Sequence, residues 1–295
     1  VPLVIGTRGS ALALAQTDRV RGMLADAGIE TTVRLIATAG DTVTGVPLHE
    51  IGGQGVFVRA LDDAIRRGEC DLAVHSMKDI PAQRPEGVVT AAVLRRDSPA
   101  DFLVTSHPSP RVIGSSSTRR RAQLLRHDPA LEVASIRGNV DTRLKKLSER
   151  RYDAIVLAEA GLERLGIEVE GRRLDPGEFV PATNQGTIAV VSRDDPDLER
   201  TLADVLEESA SRNDAMLERA VMEELGGGCF TPIGCWCQGD RVIAEVLSLD
   251  GDRWVRREAT LDGDAAAREF GRALRDEAAD LVREAYQRLR LTNGG

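Results

Sequence analysis

Apolar positions in the first two-thirds of the chain switch repeatedly between two periods. Short β-branched runs alternate with stretches in which apolar residues recur every three or four positions, the marks of strand and of amphipathic helix. "LVIGT" (Leu3–Thr7) predicts a strand, and Ser10 is placed to cap a helix that runs to about Ala27 and stops at Gly28. "TTVRLIAT" predicts a second strand, residues 56–67 a helix, and "DLAVHS" (Asp71–Ser76) and "VVTAAVL" (Val88–Leu94) two further strands. The cycle restarts near Asp101, with "RVIGSS", "LEVASI" and "YDAIVLA" as strands and "STRRRAQLLRH" and "VDTRLKKLSERR" as the helices between them. Such alternation predicts parallel sheets with crossover helices, and so two α/β lobes with a cleft between them. Ligands of open α/β sheets gather at the carboxyl ends of the strands.

From about Ser209 the pattern changes. A helix to Leu225, a hairpin "RVIAEVLSLDGDRWVRREATL" turning at Asp250-Gly251, and one long amphipathic helix over about 264–289 predict a separate small α+β domain. Earlier in the chain, "AGDTVTGVPLHEIGGQG" (Ala39–Gly55) is long and glycine-rich enough to act as a mobile lid.

Composition narrows the function classes. With 295 residues, 42% hydrophobic and 29% charged, the chain has room for two or three globular domains. No apolar run approaches the roughly 20 residues of a bilayer span. No charged-then-apolar leader precedes the first strand, so a cytoplasmic protein is expected. The chain does not begin with Met, however, and a removed targeting segment stays open. A net charge of −8 and 3% aromatics argue against a nucleic-acid binder. Yet of the 39 basic residues three are lysines (Lys78, Lys145, Lys146) and the rest arginines, which grip carboxylates with two prongs.

The arginines fall at strand ends. "GTRGSALAL" sets Arg8 and Ser10 between a strand and a helix N-terminus, where free N–H groups favour anions. "GSSSTRRRAQ" repeats this with Ser115 and Ser116 ahead of Arg119, Arg120 and Arg121. At 100° per residue three consecutive arginines cannot share a face, so Arg121 is expected to point elsewhere. Arg137, Arg143 and Arg164 follow the next two strands. In "AVHSMKDIP" a carboxylate, Asp79, stands beside Lys78 just after a strand, placed to meet a cationic N–H or to move a proton. His75 reads as structural. In "LGGGCFTPIG" Cys229 follows three glycines, a backbone that lets another molecule approach closely. Cys235 and Cys237 flank Trp236 and read as core packing, and the cysteine spacings match no common zinc pattern, so no metal is expected. These residues leave three readings open: an enzyme holding a group on Cys229, a two-lobed binding protein for a small anion, and a cysteine-nucleophile hydrolase or transferase.

Taken together, "TRGSALALAQ", "VHSMKDIP", "GSSSTRRRAQL", "IRGNVDTRL", "YDAIVLAEAGLERLG", "PATNQGTIAV" and "GGGCFTPIG" resemble the porphobilinogen deaminase (hydroxymethylbilane synthase) family, in the family's order and over essentially the whole chain. The resemblance implies a transferase of tetrapyrrole (haem) biosynthesis. Such an enzyme joins four porphobilinogens head to tail, with loss of ammonia, and releases hydroxymethylbilane by hydrolysis. It also implies a dipyrromethane cofactor bound to Cys229 through a thioether. Asp79 takes the position of the family's catalytic aspartate. Lys78, Ser115, Ser116, Arg119, Arg120 and Arg137 fall to the cofactor, and Arg8, Ser10, Arg143, Arg164 and Gln185 to the substrate. The implied fold is two periplasmic-binding-protein-like α/β lobes with an interlobe cleft, plus a small C-terminal α+β domain. Domain 1 is 1–94 with 187–205, domain 2 is 95–186, and domain 3 is 206–295; a monomer is expected. Three departures stand out. The loop that commonly carries lysines has Gln54, Arg59 and Ala60. Glu163 replaces a lysine before Arg164, and "TNQG" replaces "VGQG" while keeping Gln185.

Overall fold

The structure, a computed structural model, describes residues 1–37, 58–81, 84–226 and 231–289. Along the chain come β1 (Leu3–Thr7), α1 (Ala11–Asp26), β2 (Thr31–Leu35), α2 (Arg59–Arg66), β3 (Leu72–Ser76), a 3-10 turn (Met77–Asp79) and β4 (Val88–Val93). Then follow β5 (Asp101–Val104), β6 (Val112–Gly114), α3 (Thr118–His127), β7 (Glu132–Ala134), α4 (Val140–Ser148), β8 (Ala154–Ala158), α5 (Glu159–Leu165) and β9 (Gly171–Leu174). The remainder is β10 (Ile188–Arg193), α6 (Pro196–Leu206), α7 (Ser209–Leu225), β11 (Ile233–Gln238), β12 (Arg241–Leu247), β13 (Trp254–Thr260), α8 (Gly263–Glu277) and α9 (Ala279–Arg288). The segment read as a mobile lid, Ala39–Gly55, lies outside the described residues.

The chain divides into two units, 1–97 with 186–213, and 98–185 with 214–295. The first is built on a five-stranded sheet in the order β2-β1-β3-β10-β4. Ile5, Leu72, Val74, Ile188 and Val190 form one face of it, and α1 and α6 cover that face with Val20, Leu24, Leu198, Leu202 and Leu206. Ser10 caps α1 by accepting from the Ala13 N–H, and Asp195 caps α6 ahead of Pro196. Against the other face lies α2, whose Leu61, Ala64 and Ile65 are buried. Gly6 is required there, since a Cβ would stand 2.8 Å from the Cys70 sulfur.

The second unit has a five-stranded sheet, β7-β6-β8-β5-β9, and a three-stranded one, β11-β12-β13. The smaller sheet packs Val242, Ala244 and Val246 against Leu217 and Val221 of α7 and Phe270 and Leu274 of α8. Its central strand is also buried on its opposite face, where Ile243, Glu245 and Leu247 are inaccessible. Part of that face is covered by α3. Arg126 reaches Glu245 at 2.6 Å, and Gly251 (φ +76°) lies so close that a Cβ would stand 2.1 Å from the Ala122 carbonyl oxygen.

Two expectations need correction. The sheets are mixed rather than parallel: β10 runs antiparallel to β3 and β4, and β5 antiparallel to β8 and β9. Only strands joined through a helix must run parallel, and neither β5 nor β10 enters its sheet that way. The long final helix is two, α8 and α9, parted at Ala278 (φ −98°, ψ 9°). The Ala278 N–H still reaches Leu274 and its carbonyl still accepts from Val282, so both of its backbone groups stay bonded, and no glycine or proline stands at the break to announce it.

Candidate functional site

In the second unit β6, β7 and β8 run parallel, and the candidate residues follow their carboxyl ends. After β6 the chain turns into α3 through three serines. Ser117 caps the helix, accepting from the Arg120 N–H, and Ser115 Oγ accepts from the Ser117 N–H. Ser116 donates to the Ile136 carbonyl at 2.7 Å, tying this turn to the loop after β7. Arg119 and Arg120 occupy the first turn of α3 and are buried, whereas Arg121 turns away to the Val133 carbonyl, as the helical geometry predicts.

Both buried arginines converge on Asp101, the first residue of β5. Arg119 donates to it at 2.8 Å and Arg120 at 2.7 Å, and Gln185 adds an amide donor at 2.9 Å. Burial would raise the Asp101 pKa, but the two guanidiniums and the amide outweigh it and hold the carboxyl well below the usual range. Arg137, half-buried after β7, and Arg143 in α4 extend the cluster. Arg143 donates through Nε to the Gly138 carbonyl, and its pKa is pushed down to about 10 by burial and then by the charges of Arg120 and Arg137. Three guanidiniums, those of Arg120, Arg137 and Arg143, thus lie close enough to repel one another. Arg164 lies in α5, after β8.

The smaller sheet buttresses this cluster. The Val180 carbonyl accepts from Arg119 at 2.7 Å and from Gln123 at 2.9 Å. Gly234 of β11 lies against the same carbonyl, where a Cβ would stand 2.7 Å away, and the Cys235 N–H donates to Pro181. Cys229 itself lies outside the described residues. Cys235 and Cys237 are buried, as read from their alternation with Trp236.

In the first unit the parallel strands β1 and β3 end at Arg8 and at the Met77–Asp79 turn. Ser10 faces its own helix as the α1 cap. The turn is pinned by the Met77 N–H on the Thr187 carbonyl at 2.9 Å and by Gln16, which donates to Ser76 at 2.8 Å. Lys78 is half-buried and Asp79 exposed.

His75, one residue before the end of β3, is 5% exposed, and its Nε2 has no hydrogen-bond partner. Burial, with the charges of Arg84 and Arg8, lowers its pKa to about 3. The folded protein therefore keeps this imidazole neutral while the unfolded chain protonates below about pH 6.5. Stability should fall as pH drops through that window, by about 2 kcal/mol between pH 7 and pH 5. Urea unfolding across this range measures the slope, and His75→Leu should flatten it by that amount. An unchanged slope would mean that His75 titrates normally.

Asp101 is the residue that reading the sequence missed. Its neighbourhood marked only the start of a new β-α cycle. The available signal was indirect, because two arginines facing inward require a buried acid, but 47 acidic residues could have supplied it.

Scaffold and site thus define an α/β protein with arginines clustered at the ends of parallel strands. Residues 3–200 match the family model "Porphobilinogen deaminase, dipyromethane cofactor binding domain", and residues 213–280 match "Porphobilinogen deaminase, C-terminal domain". A probable porphobilinogen deaminase of Methanosarcina acetivorans is 51% identical over 84% of this chain and 83% of its own. One of Archaeoglobus fulgidus is 46% identical over 93% and 98%. Among solved structures, an arginine-transport periplasmic binding protein of Legionella pneumophila is similar over 70% of this chain and 92% of its own, at 14% identity and a TM-score of 0.40. The chain belongs to the porphobilinogen deaminase family.

Proposed function

We propose that the chain is a transferase that condenses four porphobilinogen molecules head to tail on a dipyrromethane held by Cys229, with loss of ammonia, and then releases hydroxymethylbilane by hydrolysis. The match of residues 3–200 to a dipyrromethane-binding domain carries this reading. The donor set fits such a group. Each of its pyrroles bears an acetate and a propionate, and the second unit offers a guanidinium cluster whose Arg119 Nε is buried without a partner. Arg119, Arg120 and Arg137, with Lys78, Ser115 and Ser116, would hold those carboxylates. When bound, dipyrromethane supplies the nucleophilic pyrrole carbon to which the first substrate is joined.

The protein's own groups do the rest. Arg8, Arg143 and Arg164 neutralise substrate carboxylates, each charge-assisted bond contributing about 1.5–3 kcal/mol. Ser10 supplies a polar contact at the start of α1, and Gln185, buried with its amide nitrogen on Asp101, supports the substrate site from behind. Asp79, on a pinned turn, accepts a hydrogen bond from a substrate pyrrole N–H as positive charge gathers there, and takes up the proton that the new bond displaces. We assign three domains, 1–94 with 187–205, 95–186, and 206–295, each with its own sheet. The enzyme in this reading is a cytoplasmic monomer. No described helix is long and apolar enough to cross a membrane.

Intact-mass measurement on the purified protein tests the proposal. The mass should exceed that of the chain by two linked pyrrole units, with peptide mapping placing the addition on Cys229. A binding protein for a small anion would carry no such addition. An unmodified Cys229 in protein from a porphobilinogen-producing host would overturn the reading.

A further inference from the structure

Two adjacent arginines at the start of α3 ought to repel each other, and burial ought to expel both. Each is a permanent cation, and the positive end of a helix dipole is an unfavourable place for it. Yet Arg119 is 4% exposed and Arg120 8%. One fully buried carboxylate reconciles them. Asp101 Oδ2 accepts from Arg119 Nη2 at 2.8 Å. Its Oδ1 accepts from Arg120 Nε at 3.1 Å, from Arg120 Nη2 at 2.7 Å and from Gln185 Nε2 at 2.9 Å. Backbone carbonyls take the other terminal nitrogens: Arg119 Nη1 donates to Val180 and Arg120 Nη1 to Val156. A guanidinium fixed at several nitrogens cannot turn about its last torsions, so the direction in which Arg120 presents its charge to Arg143 and Arg137 is set from behind.

We infer that Asp101 is a positioning residue: braced by Gln185, it aims Arg120 and steadies Arg119 for the carboxylates of the cofactor, and through Arg120 it sets the field around Arg143, which meets the substrate, without touching either ligand. The inference rests on the proposed porphobilinogen deaminase activity. The geometry exceeds what charge balance needs. A single ion pair would offset one guanidinium, whereas four donors from three side chains converge on Asp101 and join β5, the first turn of α3 and the segment before β10. Asparagine has the same shape, but its amide would turn N–H donors toward guanidinium donors and leave one weak acceptor. Whichever way the amide turns, Arg119 or Arg120 would face an N–H group in place of an acceptor, and the negative charge that holds both would be gone.

The test compares Asp101→Asn with wild type, both first shown by intact mass to carry dipyrromethane, in porphobilinogen kinetics well below each protein's melting midpoint. Carboxylate contacts act alike on ground and transition states, so their loss raises KM with little change in kcat. The expected rise is about 10- to 100-fold, the range of a charge-assisted bond. A purely structural Asp101 would lower the melting midpoint and leave KM per folded molecule unchanged, which would overturn the assignment. Should Asp101→Asn fail to fold, Arg119→Gln and Arg119→Gln/Asp101→Asn give the same comparison with one cation fewer. A further rise in KM on adding Asp101→Asn supports the aiming role, and an unchanged KM overturns it. Wild-type protein without the added mass overturns both this inference and the functional reading. A loaded wild type whose Asp101→Asn form keeps its KM overturns this inference alone.

Discussion

Asp79→Ala should lower turnover by about 100- to 10,000-fold, the range for a positioned proton-transfer or charge-stabilising group. It should do so without unfolding the protein. The reason lies in how the turn is built. Asp79 is exposed at the end of a three-residue 3-10 turn, and the turn is held by the buried Met77, by the Met77 N–H on Thr187 and by Gln16 on Ser76. None of these contacts involves the Asp79 carboxylate, so its removal should change stability by no more than about 0.5 kcal/mol. Steady-state kinetics and a thermal melt on the same preparation decide the matter. A turn-forming aspartate would leave turnover near the wild-type rate, and that result would remove Asp79 from the mechanism. Loss of activity together with a lowered melting midpoint would point to a folding defect.

The strand ends were legible in the sequence because local chemistry specifies them. Ser10 and Ser117 cap the helices that the patterning predicts, and β1 spans Leu3–Thr7 as read. The outward turn of Arg121 followed from helical geometry alone. What could not be read depends on partners distant in sequence. β5 and β10 are short apolar runs with no helix leading directly into them, so their antiparallel placement is decided by the sheet they join. The sequence marks Arg119 and Arg120 as cations at a helix start, but nothing nearby in sequence shows the carboxylate they share. Asp101 lies 18 and 19 residues earlier, and Gln185 comes 84 residues after it. The apolar run of β12 reads as an ordinary hairpin strand. Its burial on both faces, with a glutamate on one of them, reflects α3 lying against it.

That glutamate supplies the second large effect. Glu245 is fully buried, and its Oε1 has no hydrogen-bond partner. Arg126 meets Oε2 at 2.6 Å and also donates to the Glu178 carbonyl at 2.9 Å, while Arg256 stands farther off at 3.8 Å. Trp254 covers the Arg126 guanidinium at 5.6 Å from its ring centre. Removing one partner of a buried pair leaves an uncompensated charge, so Arg126→Met should destabilise the protein by about 3–5 kcal/mol, with Arg256 favouring the lower end. Replacing both, as Arg126→Met/Glu245→Met, should recover most of that loss, because an apolar pair of similar volume costs little where an ion pair has already been desolvated. Urea unfolding of the two variants measures the difference. If the pair merely packed, the single variant would cost no more than the double. The effect should also reach the arginine cluster. Arg126 lies two turns along α3 from Arg119 and Arg120, and Gly251 beside it touches the Ala122 carbonyl on the same helix. A loosened hairpin would let α3 shift against Val180 and Asp101, so Arg126→Met should also raise KM for porphobilinogen, and the double variant should bring it back.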